Sequence, residues 1–158
     1  MKTTTRSNIY LPLAALILAA LAIPAAAQQQ VPFKGTFQGN DNTATHGTIT
    51  TTGTGVGTHL GQLSLTDVLT LTSACCGTGT GNWIAANGDS IDTTLAGSAE
   101  LTAAPGVISI TEVHTITGGT GRFSGAQGSF TVERLASGVT FLTSGSFRGT
   151  ITSPGAAH

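Results

Sequence analysis

The sequence predicts an all-β protein that forms a single closed antiparallel barrel of about eight strands, with a two-sheet β-sandwich as the alternative. Segments of alternating apolar and polar residues recur along the chain, and short turn sequences rich in Gly, Asn and Pro separate them. No segment has a convincing 3.6-residue period, so little helix is expected. Because a meander of hairpins leaves two exposed edges unless the sheet closes, we expect strands 31–39 and 139–152 to pair.

Each alternating segment places its large apolar residues on one face. In chain order these residues are Val31, Phe33 and Phe37; Leu63, Leu65, Leu69 and Leu71; Ile91, Leu95 and Leu101; Ile108, Ile110 and Ile116; Phe130 and Val132; and Phe141, Phe147 and Ile151. Between the segments lie GND, CCGTGTG, ANGD, APG and GGTG, and Asn87-Gly88 suits a two-residue hairpin turn. One helical turn near 122–126 is the only helix expected after residue 27.

The first 27 residues have the composition of a secretory signal. Lys2 and Arg6 precede a short uncharged apolar run, and Ala25-Ala26-Ala27 provides an A-x-A cleavage site. The apolar run is shorter than the roughly 20 residues that span a membrane, so we expect cleavage after Ala27 rather than an anchor. We expect a secreted or periplasmic protein, with one barrel domain over residues 28–158 and a short flexible tail from about residue 153.

The charge of the predicted mature chain argues against nucleic acid as a partner. Removal of the leader leaves four basic residues against seven acidic ones, a net charge of −3, and no basic patch. Charged residues are only 8% of the chain, and Gly and Thr take their place. Thr suits a half-exposed pleated surface, which is typical of β-sheet proteins. After the leader no second apolar run follows, so no membrane span is expected in the mature chain.

The sequence lacks the spacings of familiar catalytic, cofactor and metal sites. GTGVG and GTGTG lack the G-x-G-x-x-G spacing, and P-loop, G-x-S-x-G and H-E-x-x-H motifs are missing. The four histidines are scattered, so neither a metal nor a cofactor is expected. Cys75 and Cys76 are adjacent, and a bond between them would be strained. A vicinal disulfide, free thiols, a disulfide between two chains of a homo-oligomer, and a redox role all remain open.

Polar residues on apolar faces are the candidate site. In the segment 59–71, Asp67 shares the parity of four leucines, and His59 shares it at the start of the strand. In the segment 107–117, Glu112 and His114 share the parity of three isoleucines. A buried unpaired carboxylate costs several kcal/mol, so these groups are expected to be paired, protonated or open to water. They form either a satisfied structural network or the polar part of a ligand pocket. The third alternative is that the faces are reversed and these residues lie on the outer surface.

The stretch ITGGTGRFSGAQGSF at 116–130 contains a glycine-rich turn and then Phe, a small residue and Gly. It resembles the strand-turn-strand of the allene oxide cyclase and dirigent barrel superfamily. THLG at 58–61 and ANGDS at 86–90 resemble small exported bacterial proteins of that barrel type. The resemblance implies an eight-stranded barrel with a small cavity, and it transfers no catalytic residue. Physically, Gly118, Gly119 and Gly121 allow positive φ in a tight corner, and Phe123 would plug one end of the core.

Three functions follow from this pattern. The leading hypothesis is a binding protein whose barrel holds a small apolar molecule, with Asp67, Glu112, His114 and His59 as candidate contacts. The second is an isomerase or cyclase in which Asp67, Glu112 and His114 supply acid–base chemistry; this rests on analogy with the superfamily. The third is a structural or surface protein whose barrel is filled by its own side chains.

Overall fold

The computed structural model describes residues 29–45, 47–152 and 154, and they form one barrel. The predicted leader and most of the predicted tail lie outside these residues. The eight strands are β1 (Gln30–Thr45), β2 (Thr48–Gly57), β3 (Gly61–Leu71), β4 (Cys76–Ala85), β5 (Ser90–Leu101), β6 (Val107–Gly119), β7 (Gly128–Ser137) and β8 (Leu142–Thr152).

The strands close in simple sequence order. Each strand pairs antiparallel with the next, and β1 pairs with β8 from Gln30 opposite Thr152 to Asn40 opposite Leu142. This closure confirms the predicted barrel and excludes the two-sheet sandwich. Within the described residues there is no α-helix, only the 3-10 turn Gly121–Phe123, and none of their helical segments could span a membrane.

An aromatic cluster fills the middle of the barrel. Trp83 contacts Phe130 and Phe147 edge-on, with ring centroids 5.1 and 5.0 Å apart. Phe33 contacts the same two phenylalanines, each at 5.0 Å. Such pairs contribute about 0.5–1.5 kcal/mol each beyond the apolar area they bury. The alternation of each strand therefore builds a packed core.

One end of the barrel, here called the closed end, is plugged. Phe123 and Leu60, from the β6–β7 and β2–β3 connections, are fully buried there, which agrees with the predicted role of Phe123. Gly121 has φ of 54°, and a Cβ at this position would collide with the carboxylate of Asp89. Gly119 does not have positive φ; it is needed because a Cβ would strike the backbone oxygen of Ser90.

The β4–β5 connection differs from the predicted two-residue hairpin. Its loop covers residues 86–89, and the N–H of Ala85 donates to the backbone oxygen of Asp89 at 2.8 Å. Gly88 has φ of 88°, so the Asn-Gly pair still supplies the turn. Within this four-residue loop, the Asn87 amide donates to the Asp89 carboxylate at 2.7 Å, so Asp89 belongs to the turn rather than to β5.

At the opposite end, here called the open end, some of the residues that alternation predicts to face the core are exposed. Leu71 and Leu101 are 41% and 89% exposed, because they lie at the strand ends where no opposite wall covers them. Phe141 precedes β8, lies in a turn with φ of 60° and is 45% exposed. The alternation therefore predicts orientation correctly only where the barrel wall continues on the far side.

Candidate functional site

The buried polar residues lie on the inner faces of strands, as their parity predicts. Asp67 on β3 and Glu112 and His114 on β6 are 5%, 3% and 0% exposed. Two further buried charges join them: Arg134 on β7 and the largely buried Asp41 on β1. The site is therefore assembled from four strands of the barrel.

Arg134 is the centre of the polar group. Its Nε and Nη2 donate to the two carboxylate oxygens of Glu112, each at 3.1 Å, in a bidentate pair. Its Nη1 donates to Asp41 at 2.8 Å. Burial opposes the charged guanidinium, but the bonds and charges of Glu112 and Asp41 outweigh burial and raise the pKa of Arg134. Arg134 therefore stays charged in the interior.

Two threonine hydroxyls complete this arrangement. Thr51 donates to Asp41 Oδ1 at 2.6 Å, and Thr143 accepts from Arg134 Nη1 at 3.0 Å. Charged groups that are buried together require such additional hydrogen bonds, because the ion-pair attraction alone does not repay their desolvation. We call the set formed by Asp41, Thr51, Asp67, Glu112, Arg134 and Thr143 the polar layer.

Asp67 has a different environment from the other two carboxylates of the polar layer. Its Oδ1 accepts a hydrogen bond from the indole nitrogen of Trp83 at 3.0 Å. Burial and the negative charge of Glu112 raise the pKa of Asp67 from 3.8 to about 7, against the opposing effects of Trp83 and Arg134. Near neutral pH Asp67 therefore exchanges a proton, which is the property of a general acid or base.

His114 lies beneath the polar layer, among aromatic rings. It stacks on Phe130 with centroids 4.6 Å apart and meets the edge of Trp83. Its Nδ1 hydrogen-bonds the hydroxyl of Thr93 at 3.0 Å, whereas its buried Nε2 has no partner. Burial and the charge of Arg134 lower the pKa of His114 from 6.5 to about 3, so the ring is neutral.

The barrel is packed tightly around these side chains. A Cβ at Gly81 would collide with Asp67, and it would lie 2.6 Å from the Thr93 hydroxyl. A Cβ at Gly97 would lie 3.0 Å from the Cγ of Glu112. At these two positions the inner wall therefore has no room for even one added methyl group.

Beyond the polar layer, the inner wall at the open end is apolar and incompletely covered. Four apolar residues there have the inward parity of their strands and are half-buried. They are Ile49 on β2, Leu69 on β3, and Ile108 and Ile110 on β6. We call these four residues the mouth ring. The closed end has buried plugs in the corresponding place. Toward the open end, the inner face therefore passes from buried charged groups to half-buried apolar side chains.

His59 does not join the site. It is exposed in the turn between β2 and β3, at the closed end, with φ of 64°. The prediction of an inward His59 was wrong because β3 begins at Gly61, so the alternation does not extend back to residue 59.

Cys75, the last residue of the β3–β4 connection, forms a disulfide with the adjacent Cys76, the first residue of β4. Of the open alternatives, the structure has the vicinal bond. The pair lies at the open end, and the backbone oxygen of Cys76 accepts from the N–H of Thr72 at 2.8 Å. It adds no side chain to the polar layer.

Sequence reasoning missed three important residues, although parity could have found them. Arg134 shares the parity of Phe130 and Val132, and Asp41 shares that of Phe33 and Phe37. Trp83 was overlooked because the glycine-rich sequence before it was interpreted only as a turn. A buried cation was the expected counterpart of the buried carboxylates, so Arg134 had the stronger signal.

The arrangement can hold a polar group of a ligand and can exchange a proton at Asp67. Among the described residues, no group of three or more His, Cys, Asp and Glu side chains could hold a metal ion. No family model, curated protein or solved structure matches the chain.

Proposed function

We propose that this protein is an exported binding protein that holds a small apolar molecule in the mouth of its barrel. The observation that carries the proposal is the mouth ring, in which inward-facing Ile and Leu side chains stay half-buried at the open end, whereas Phe123 and Leu60 plug the closed end. Covering these side chains stabilises a complex by about 25 cal/mol per Å² of apolar surface. An apolar wall with a few polar groups is also the usual character of ligand sites.

Export and family are parts of the same proposal. The basic start, apolar run and A-x-A site support removal of residues 1–27, with mature protein beginning at Gln28. The GGTG turn and the eight-stranded closure support membership of the allene oxide cyclase and dirigent barrels. Intact mass of the exported protein tests the first part, and a product that retains Met1 would replace the signal by an anchor.

The binding proposal is tested with an apolar fluorescent probe and a matched pair of variants. Ile110→Gln places an amide in the mouth ring, whereas Val113→Gln makes the same kind of change on the exposed outer face of the same strand. We expect the probe to bind the wild-type protein and the Val113 variant, and to bind the Ile110 variant several-fold more weakly. Equal binding by all three would place the probe elsewhere and overturn the proposal.

A second candidate is an isomerase or cyclase, and the environment of Asp67 favours it. A carboxyl with a pKa of about 7 suits proton transfer at neutral pH. Neutral His114 contacts the ring of Trp83, whose indole nitrogen donates to Asp67. Extraction of a bound molecule from protein purified from its native host distinguishes the candidates. A single tightly held compound, recovered unchanged, supports binding, whereas conversion of that compound by the wild type and not by Asp67→Asn supports the enzyme. Absence of any bound compound, together with failure to bind the probe, supports the filled structural barrel.

A further inference from the structure

Building on the proposed binding function, we propose that the polar end of the ligand is a hydrogen-bond donor, an alcohol or a primary amine, and that the site discriminates against carboxylates. On β2, β3 and β6 the polar layer lies one inward position below the mouth ring, so it is the floor that the polar end of a ligand in the mouth would meet first. Its donors and acceptors decide which group fits.

Four of the five N–H groups of Arg134 already donate to groups of the protein, which leaves a single N–H on Nη2. Each of its three guanidinium nitrogens already donates, to Glu112, to Asp41 and to the Thr143 hydroxyl. A ligand carboxylate is usually bound by a guanidinium that offers two free N–H groups side by side. Arg134 offers no such pair, because Glu112 occupies its bidentate edge.

The carboxyl groups of the floor outnumber its cations. Asp41, Asp67 and Glu112 face one guanidinium, so an anionic ligand would meet like charge, which disfavours its binding in a desolvated contact. Asp67 also has spare capacity as an acceptor. Trp83 donates to Oδ1, and in the described part of the chain no hydrogen bond reaches Oδ2. A carboxyl oxygen of this kind favours a donor on the ligand.

His114 indicates independently that the interior lacks a polar partner. Its Nε2 is fully buried and makes no hydrogen bond, although buried polar atoms are nearly always satisfied. His114 shares the inner face of β6 with Glu112, two residues away. His114 lies beneath the polar layer, so this unpaired nitrogen marks unsatisfied polarity below the floor. The preference at the floor itself rests on Asp67 and on the excess of carboxyl groups over cations.

Trp83 provides the measurement, because it is the single tryptophan of the chain and its indole is bonded to Asp67. The purified protein is titrated at pH 7.5 with 1-decanol, decylamine and decanoate, which share one chain length and differ in the polar end. Binding is followed by tryptophan fluorescence and by calorimetry. We expect the alcohol or the amine, or both, to bind at least about tenfold more tightly than decanoate.

The outcomes separate this inference from the proposed function. If decanoate binds as tightly as the other two compounds, the donor preference is wrong and the binding function stands. If none of the three binds, both are wrong.

In Asp67→Asn the preference over decanoate should shrink several-fold, whereas the exposed Glu133→Gln variant should keep it. The wild-type series decides the matter even if Asp67→Asn does not fold, and an unchanged preference in a folded Asp67→Asn protein would overturn the role of Asp67.

Discussion

Arg134 on β7 donates to Asp41 on β1 at 2.8 Å, although 93 residues separate them in the chain and β8 lies between their strands. The bond therefore passes across the inner surface of β8 and connects two strands that share no backbone hydrogen bonds. Together with the bidentate bond from Arg134 to Glu112, it joins β1, β6 and β7 at the level of the polar layer.

Replacement of Arg134 by Met should strongly destabilise the barrel. Met keeps the unbranched stem as far as the position of Nε but leaves Glu112 and Asp41 as buried charges without a cation, which costs about 3–5 kcal/mol. Urea denaturation measures the change in the free energy of unfolding. The control is Arg148→Met, an exposed residue, for which a change within about 0.5 kcal/mol is expected. Similar values for the two variants would show that the buried ion pairs do not hold the barrel together.

Glu112→Gln tests whether Glu112 stabilises the fold as part of a hydrogen-bond network or serves only to bind a ligand. Because Arg134 occupies both oxygens of Glu112, the amide leaves one guanidinium N–H facing an NH₂ group, and we expect a loss of about 1–3 kcal/mol. Thermal or urea unfolding checks it, with the exposed Glu133→Gln as the matched control. An unchanged or raised stability would mean that the bidentate pair contributes little.

The sequence predicted much of the fold, since alternation and turn residues are local signals. The parity of Glu112 and His114 with three isoleucines identified correctly which face is buried, and strand order then required closure. The partners could not be predicted, because Arg134 and Asp41 meet only through the tilt and register of the closed barrel. The exposure of Leu101 escaped prediction for a related reason: parity gives the face of a residue and does not give its height in the barrel.

The pH dependence of stability should reveal two opposing titrations. Folding raises the pKa of Asp67 from 3.8 to about 7, so its contribution is full below pH 3.8 and is lost as pH rises through 7. Folding lowers the pKa of His114 from 6.5 to about 3, so its contribution is present above pH 6.5 and is lost on acidification. Between these limits the two trends offset each other in the wild type.

Asp67→Asn should therefore expose the His114 trend alone. We expect this variant to lose stability more steeply than the wild type as pH falls from about 6.5 to about 4.5, measured as urea midpoints. At pH 7.5 and above it should be at least as stable as the wild type, because a buried amide costs less than a buried carboxylate. The exposed Glu100→Gln should follow the wild-type curve. Parallel curves for all three proteins would contradict the shifted pKa of Asp67.

Replacement of both Cys75 and Cys76 by Ser should leave stability nearly unchanged. A bond between adjacent residues closes no long loop, so it removes little entropy from the unfolded chain. The connection also retains its backbone bonds, including the one from Ala99 N–H to the Cys75 oxygen at 2.7 Å. We expect a change below about 0.5 kcal/mol in urea denaturation. A loss of several kcal/mol, or the disappearance of a dimer from non-reducing gels, would instead favour a bond between chains.

Two phenylalanines test the difference between the ends of the barrel. Phe123 is fully buried and plugs the closed end, so Phe123→Ala should cost about 3–5 kcal/mol through lost burial and the cavity left behind.

Phe141 at the open end is nearly half exposed and has φ of 60°, a left-handed conformation that costs a non-glycine residue about 1–2 kcal/mol. Phe141→Gly relieves that strain but gains flexibility when unfolded, so we expect a change of less than about 1 kcal/mol in either direction. In urea denaturation, the free energy of unfolding should therefore fall several times more for Phe123→Ala than for Phe141→Gly. A large loss at Phe141 would show that its ring supports the mouth, whereas a small loss at Phe123 would show that the closed end can collapse around the missing plug.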